Sequence, residues 1–268
     1  MTAGRVRGFL DYRIYVNGYD LSGYSRNIGP LSKKYEDIVD DAITYSTKKH
    51  WIGQSSISPG TLNGMLDDTA SSGLHAVMNS AEVTCDLLTA IGKQAAPADG
   101  DIAFCGQFLH REYLAGESGG LGSATINFGD GQYATSTLNY KDPWGQLLCA
   151  YAAKTAANTA TGYDNYIQAS TALGGWMMYQ VFAAAGTGSI TATLKVQDAD
   201  TNSNGSFGDL LSSGELSLGS DGTFTGPSSG VVALAKTATV KQYTRWQIAF
   251  GTATSVTCAI AFMRAYVA

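Results

Sequence analysis

The stretch LKVQDADTNSNGSFGDL (194–210) alternates Asp198, Asp200 and Asn202, continues through Gly205, and places Asp209 where a calcium loop carries its last acid. Such loops gather carboxylate and carbonyl oxygens around a hard cation. The helix–loop–helix form needs Gly at its sixth position and a bidentate Glu at its twelfth. Counted from Asp198, those positions hold Ser203 and Asp209, and both flanks, SITATLKVQ and FGDLLS, read as strands. Asn and Asp also favour turns without any ion, because they tolerate left-handed backbone and bond to it locally. The expectation is a polar turn between two strands, with no metal and no cofactor.

GESGG (116–120) matches the G-x-S-x-G nucleophile pattern, with Asp101 and His75 upstream as possible partners. A nucleophile elbow lies between a strand and a helix, but Ser118 precedes LGSATINF, which reads as a strand. His75 falls inside a helical pattern. His50, His75 and His110 are far apart and lack the spacing of a zinc site. Cys85, Cys105, Cys149 and Cys258 sit among apolar neighbours without CxxC spacing, as reduced core thiols do. No P-loop or dinucleotide fingerprint is present, and no enzyme is expected.

The elements that would position such residues are mostly strands. The chain has 268 residues, 44% of them hydrophobic and only 15% charged, with 32 glycines. That mix suits short strands joined by tight turns. A formal net charge of −5 argues against a basic grip on nucleic acid. Nothing at the N-terminus resembles a signal peptide, and no apolar stretch reaches membrane-spanning length. DYRIYVNGYDLSGYSRNI alternates around Asn17-Gly18 and reads as a hairpin. The segment 31–51 is charged yet carries tyrosine, isoleucine, valine and tryptophan. Apolar residues at Leu74, Val77, Met78, Ala81, Cys85 and Leu88 predict one helix over 72–91, stopped by Gly92. AAKTAANTATG (152–162) reads as a linker. The strand-like segments after it predict a β-sandwich. The expected fold class is therefore mainly β: a β domain over 1–151 with one helix, then an all-β sandwich over 163–268.

Two regions together resemble a known family. IYVNGYDLSGYSRNIG, a charged arm, and SPGTLNGMLDD leading into a helix resemble the start of tailed-phage tail tube proteins of the siphophage type. The C-terminal SITATLKVQDADTNSNGSFGDL and VKQYTRWQIAFGTATSVTCAIAFMRAY are similar to a β-sandwich module found at the C-terminus of such proteins. Tyr243, Arg245, Gly251, Thr252, Phe262 and Arg264 stand at that module's closing positions. The resemblance implies that the first domain is a tail-tube-like β-sandwich or barrel, in a structural virion protein that stacks as hexameric rings into a tail tube, the conduit for DNA ejection. Its partners would be copies of itself, the tape measure, terminator and distal tail proteins, and genomic DNA passing without specific binding, with no membrane. It would be assembled in the host cytoplasm. An inter-subunit arm would comprise Lys33, Lys34, Tyr35, Glu36, Asp37, Ile38, Asp40, Asp41, Lys48, Lys49 and Trp51. Residues 1–160 hold 16 Asp/Glu against 12 Lys/Arg, and an acidic lumen would keep phosphates from adhering.

Two other readings compete. A capsid decoration or other tail structural protein is the runner-up, since the C-terminal module is portable. A carbohydrate-binding module is the third, with Trp176, Tyr179, Trp246 and Phe250 as stacking platforms, although alternation makes Trp246 and Phe250 equally good core.

Overall fold

The computed structural model describes residues 11–40, 49–67, 69, 73–79, 84–93, 95–118, 121–131, 143–164 and 172–265. Its strands are β1 (Tyr12–Val16), β2 (Tyr19–Asp20), β3 (Ser25–Gly29), β4 (Ser32–Asp40), β5 (Lys49–Ser58), β6 (Thr61–Met65), β7 (Thr84–Ile91), β8 (Ile102–Ser118), β9 (Leu121–Gly131) and β10 (Trp144–Lys154). They continue as β11 (Tyr163–Asp164), β12 (Gly175–Gly186), β13 (Ile190–Ala199), β14 (Gly208–Ser212), β15 (Leu216–Ser220), β16 (Thr223–Phe224), β17 (Ser228–Ala233), β18 (Tyr243–Ala249) and β19 (Ala253–Arg264). One helix, α1 (Leu74–Asn79), precedes β7. The class is mainly β, as the alternation predicts.

An eleven-stranded antiparallel sheet runs β17-β12-β19-β10-β8-β7-β1-β2, and a leaf of β9, β6 and β3 branches from the distal half of β8. The long sheet curls until its ends meet. At that seam the Gly18 N–H donates to Gln180 Oε1, the Gln180 amide donates to Asp86 O at 3.0 Å, and Ser229 Oγ donates to Asp86 Oδ2 at 2.7 Å. Inside the curl, Tyr15, Leu88, Ala90, Ala103, Cys105, Leu147, Trp176, Met178, Ala259, Ala261 and Met263 form one core. Small residues beside a few bulky ones suit the narrow interior of a small barrel.

The outer face of this barrel is covered on two sides. Residues of β1, β7 and β8 pack with α1, Ile57 and the leaf, around Leu62, Phe104, Phe108 and Ile126. Residues of β10, β12 and β19 pack against a six-stranded sheet, β11-β18-β13-β15-β16 with β14, around Leu194, Val196, Trp246 and Phe262. Strands of the barrel are therefore buried on both faces.

That burial explains the main difference from expectation. The helix predicted over 72–91 is described only as Leu74–Asn79, and Thr84–Ile91 is the strand β7. A strand buried on both sides shows a near-continuous apolar run rather than alternation. Cys85, Leu87, Leu88, Ala90 and Ile91 are all buried, and that run mimics helical spacing. The stretch 152–162, expected as a linker, begins as strand: β10 reaches Lys154 and pairs with β19 through Lys154↔Val256. The large sheet thus holds strands from both sides of that stretch. The N-terminal hairpin follows expectation, with Asn17 (φ 49°) and Gly18 (φ 83°) in the turn between β1 and β2. Two positive-φ residues match the twist of a two-residue hairpin loop.

Candidate assembly surfaces

β4 and β5 form a two-stranded sheet of their own. Their register pairs Lys33↔Ile57, Lys34↔Ser56, Tyr35↔Ser55, Asp37↔Ile52, Ile38↔Trp51 and Asp40↔Lys49, with a shift between Tyr35 and Asp37. The structure brings Lys33, Lys34, Tyr35, Glu36, Asp37, Ile38, Asp40, Lys49 and Trp51 onto one hairpin. Asp41 and Lys48 lie outside the described residues. Lys34, Glu36 and Asp37 are exposed, and the large side chains of Tyr35 (50%) and Val39 (43%) face solvent. The Lys33 ammonium lies 5.5 Å from the Tyr35 ring centre. At the hairpin's base, Ile57 is buried in the core.

This hairpin continues the leaf. β3 and β6 pair through Gly29↔Thr61, and β4 and β5 resume at Ser32↔Ser58. Between them lie Pro30-Leu31 on one strand and Pro59-Gly60 on the other. Proline cannot donate to the ladder, so pairing breaks there. Gly60 (φ +67°) sits against Gly29, where an added Cβ would lie 2.5 Å from the Gly29 carbonyl carbon. The result is one long ribbon bent at a tight corner.

The outer face of the leaf is an uncharged ladder closed by one acid. The Asn63 amide donates to Asn27 Oδ1 at 2.6 Å, Thr125 donates to Asn63 Oδ1 at 3.0 Å, and Thr61 donates to Asn127 Oδ1 at 2.8 Å. Asn127 in turn donates to Glu112 Oε2 at 2.6 Å. Leu114, Met65 and Leu66 are exposed nearby on β8 and at the end of β6.

The polar loop that resembles a calcium site lies between β13 and β14, and its side chains are engaged within the protein. Asp198 is buried and accepts from Lys241 N at 2.9 Å. Asn202 exchanges two hydrogen bonds with the Gly162 backbone. Asp209 accepts from Lys195 Nζ and Gln197 Nε2, contacts that hold its carboxyl below the usual range. Arg245 donates to Gln197 Oε1, Ala160 O and Asn204 Oδ1 and lies 4.3 Å from the centre of the Phe207 ring. The loop fastens the 158–162 segment to the sandwich.

Ser118 closes β8 and pairs with Leu121 at the start of β9, so the described part of GESGG, Gly116 to Ser118, is strand, and Gly119 and Gly120 lie outside the described residues. His75 shares a hydrogen bond of 2.8 Å with the Tyr113 hydroxyl. Asp101 accepts from Ala98 N and pairs with Lys93 at 3.4 Å. All four cysteines are buried free thiols, and burial pushes Cys85 up to about 11. Trp176, Tyr179 and Trp246 are buried, and Phe250 packs against the core. Trp176, Tyr179 and Trp246 therefore serve as core rather than as the sugar-stacking platforms of the carbohydrate-binding alternative. No described helix is long and apolar enough to cross a membrane.

Sequence reading missed the aromatic cleft at the seam. Gly18, Tyr19, Asp20, Tyr151, Phe182, Thr225, Gly226 and Pro227 line a hollow of about 450 Å³. These residues come from four distant parts of the chain, so no local spacing could reveal them. The exposed Tyr151 within an apolar strand is the one local sign.

No family model matches the chain, and no curated protein matches it. Among solved structures it is similar to the SPP1 Dit protein, described as a paradigm of hub adsorption apparatus in phages infecting Gram-positive hosts. The identity is 12%, covering 94% of this chain and 98% of that one, with a TM-score of 0.31. A likeness that loose carries no argument about this chain.

Proposed function

We propose that the chain is a structural protein of a phage tail, assembling with copies of itself into stacked rings that form a tail tube. The observation that carries this reading is the β4–β5 hairpin. A two-stranded sheet is marginal alone in water, and both its edges can pair with another chain. This one holds Tyr35 and Val39 out to solvent among mixed charges, on a corner that fixes its direction. Burying those side chains against a neighbouring copy would stabilise both, and the charges would select the register. The resemblance of the N-terminal and C-terminal motifs to tail tube proteins supplies the rest: virion localisation, hexameric rings, tape measure, terminator and distal tail partners, DNA passing through, and no catalysis. As a capsid decoration protein the chain would use the same hairpin to grip a different lattice.

Negative-stain electron microscopy of the full chain over a concentration series tests this reading. Rings or tubes with a central hole are expected, and they should disappear in a Tyr35→Asp/Val39→Asp variant that still melts like the native protein. A monomer at every concentration would count against self-assembly. Rings that persist in the variant would remove the hairpin's role while leaving the tube.

A further inference from the structure

We infer that the cleft at the barrel seam binds a small alkylammonium ion of the choline type. Its floor is a corner of two rings, Tyr151 and Phe182, whose centres are 4.8 Å apart with planes at 68°. Tyr15, itself buried, braces both from below, nearly parallel to Tyr151 at 6.0 Å and edge-on to Phe182 at 5.0 Å. The corner is thus backed by a buried ring, while Tyr151 keeps 47% of its surface exposed. Tyr19 and Pro227 supply further walls.

Among the described residues that line the cleft, Asp20 is the single ionic one and none is a lysine or arginine. Ser22 holds that carboxylate in place through its N–H at 3.0 Å and its hydroxyl. Aromatic faces carry partial negative charge and attract cations, most effectively when the cation is partly desolvated. A quaternary ammonium suits such a corner because its methyl groups pack on rings and its charge is spread and weakly hydrated. A carboxylate beside the rings adds attraction for the same charge and repels anions. A hard metal ion would find one carboxylate where it needs six or more oxygens. None of this depends on the tube reading.

The test is a calorimetric or NMR titration of the full chain with choline chloride, alongside dimethylbutanol, which has the same shape without the charge. Saturable choline binding is expected, with little binding of dimethylbutanol. Tyr151→Ala should weaken choline at least ~10-fold and Asp20→Asn should weaken it severalfold, with melting temperatures compared to separate loss of the site from loss of the fold. Co-sedimentation with phosphatidylcholine vesicles distinguishes the sources: pelleting would make a lipid headgroup the ligand, and no pelleting would make it the free ion. No saturable choline binding would overturn the inference. So would equal binding of dimethylbutanol, which would mark an apolar cleft only, or undiminished binding by a well-folded Tyr151→Ala.

Discussion

Asp198 has the spacing of a metal ligand and the burial of a structural residue. Burial raises its pKa, offset in part by the Lys241 N–H and the nearby charges of Lys241 and Arg264. A raised folded pKa means that the native state holds the proton more tightly than the unfolded chain. The resulting penalty on stability is absent below about pH 4, grows as pH rises through the raised value, and is complete above it. Asp198→Asn keeps an oxygen for the Lys241 N–H and removes the penalty. The variant should melt above the native protein near pH 7 and alongside it near pH 3, as thermal denaturation at the two values would show. Trp246 is a simpler case. It is 6% exposed, donates to Asp99 at 3.3 Å, and lies under the Lys154 ammonium. Trp246→Ala should cost about 3–5 kcal/mol in denaturant unfolding. The closing motif that resembles the phage module has the same structural character. Phe262 is core, and Arg264 is buried with its guanidinium on the Val240 and Lys241 carbonyls.

Among the elements, the bent ribbon shows where local signals suffice and where they fail. Asn17-Gly18 announces its hairpin because the turn's chemistry is local. The corner at Pro30 and Pro59-Gly60 is equally local, and its prolines and glycine stand in the sequence. That the charged segment between them folds as a hairpin was not legible, since dense charge on an exposed strand looks the same as charge on a loop. β7 fails for the opposite reason: with both faces buried, it has no polar side to mark a period. The corner itself can be tested by comparison. Gly214 (φ +72°) has open space around it, whereas Gly60 does not. Gly214→Ala should cost roughly 1–2 kcal/mol from the backbone conformation alone. Gly60→Ala adds a clash with Gly29 and should cost about 2–4 kcal/mol, read from denaturant melts of both variants.

At the level of the whole molecule, a barrel built from strands of both expected domains was not legible. Its closure depends on Gln180 meeting Gly18 and Asp86 across 162 and 94 positions of chain. A lone glutamine in an apolar strand carries no label for so distant a partner. Gln180 has no exposed surface, so Gln180→Leu would leave the Gly18 N–H buried without its acceptor. That loss should destabilise the fold by about 2–4 kcal/mol, and hydrogen exchange at the Gly18 amide should accelerate more than at Leu88, deep in the β7 ladder. The aromatic cleft depends on the same closure, which brings Gly18 to Asp20 and Thr225 to Pro227 beside Tyr151 of β10 and Phe182 of β12.

The ribbon also has a mechanical consequence. Cross-strand hydrogen bonds lie perpendicular to their strands. A load pulling either strand lengthwise past its partner, through the corner toward β3 and β6, would strain many of those bonds together, in shear. A load prising the two strands apart at the hairpin's end would break them one after another, as a zipper opens. The same pair of strands would thus resist being drawn along its axis far more strongly than being peeled apart from the Asp40↔Lys49 pair.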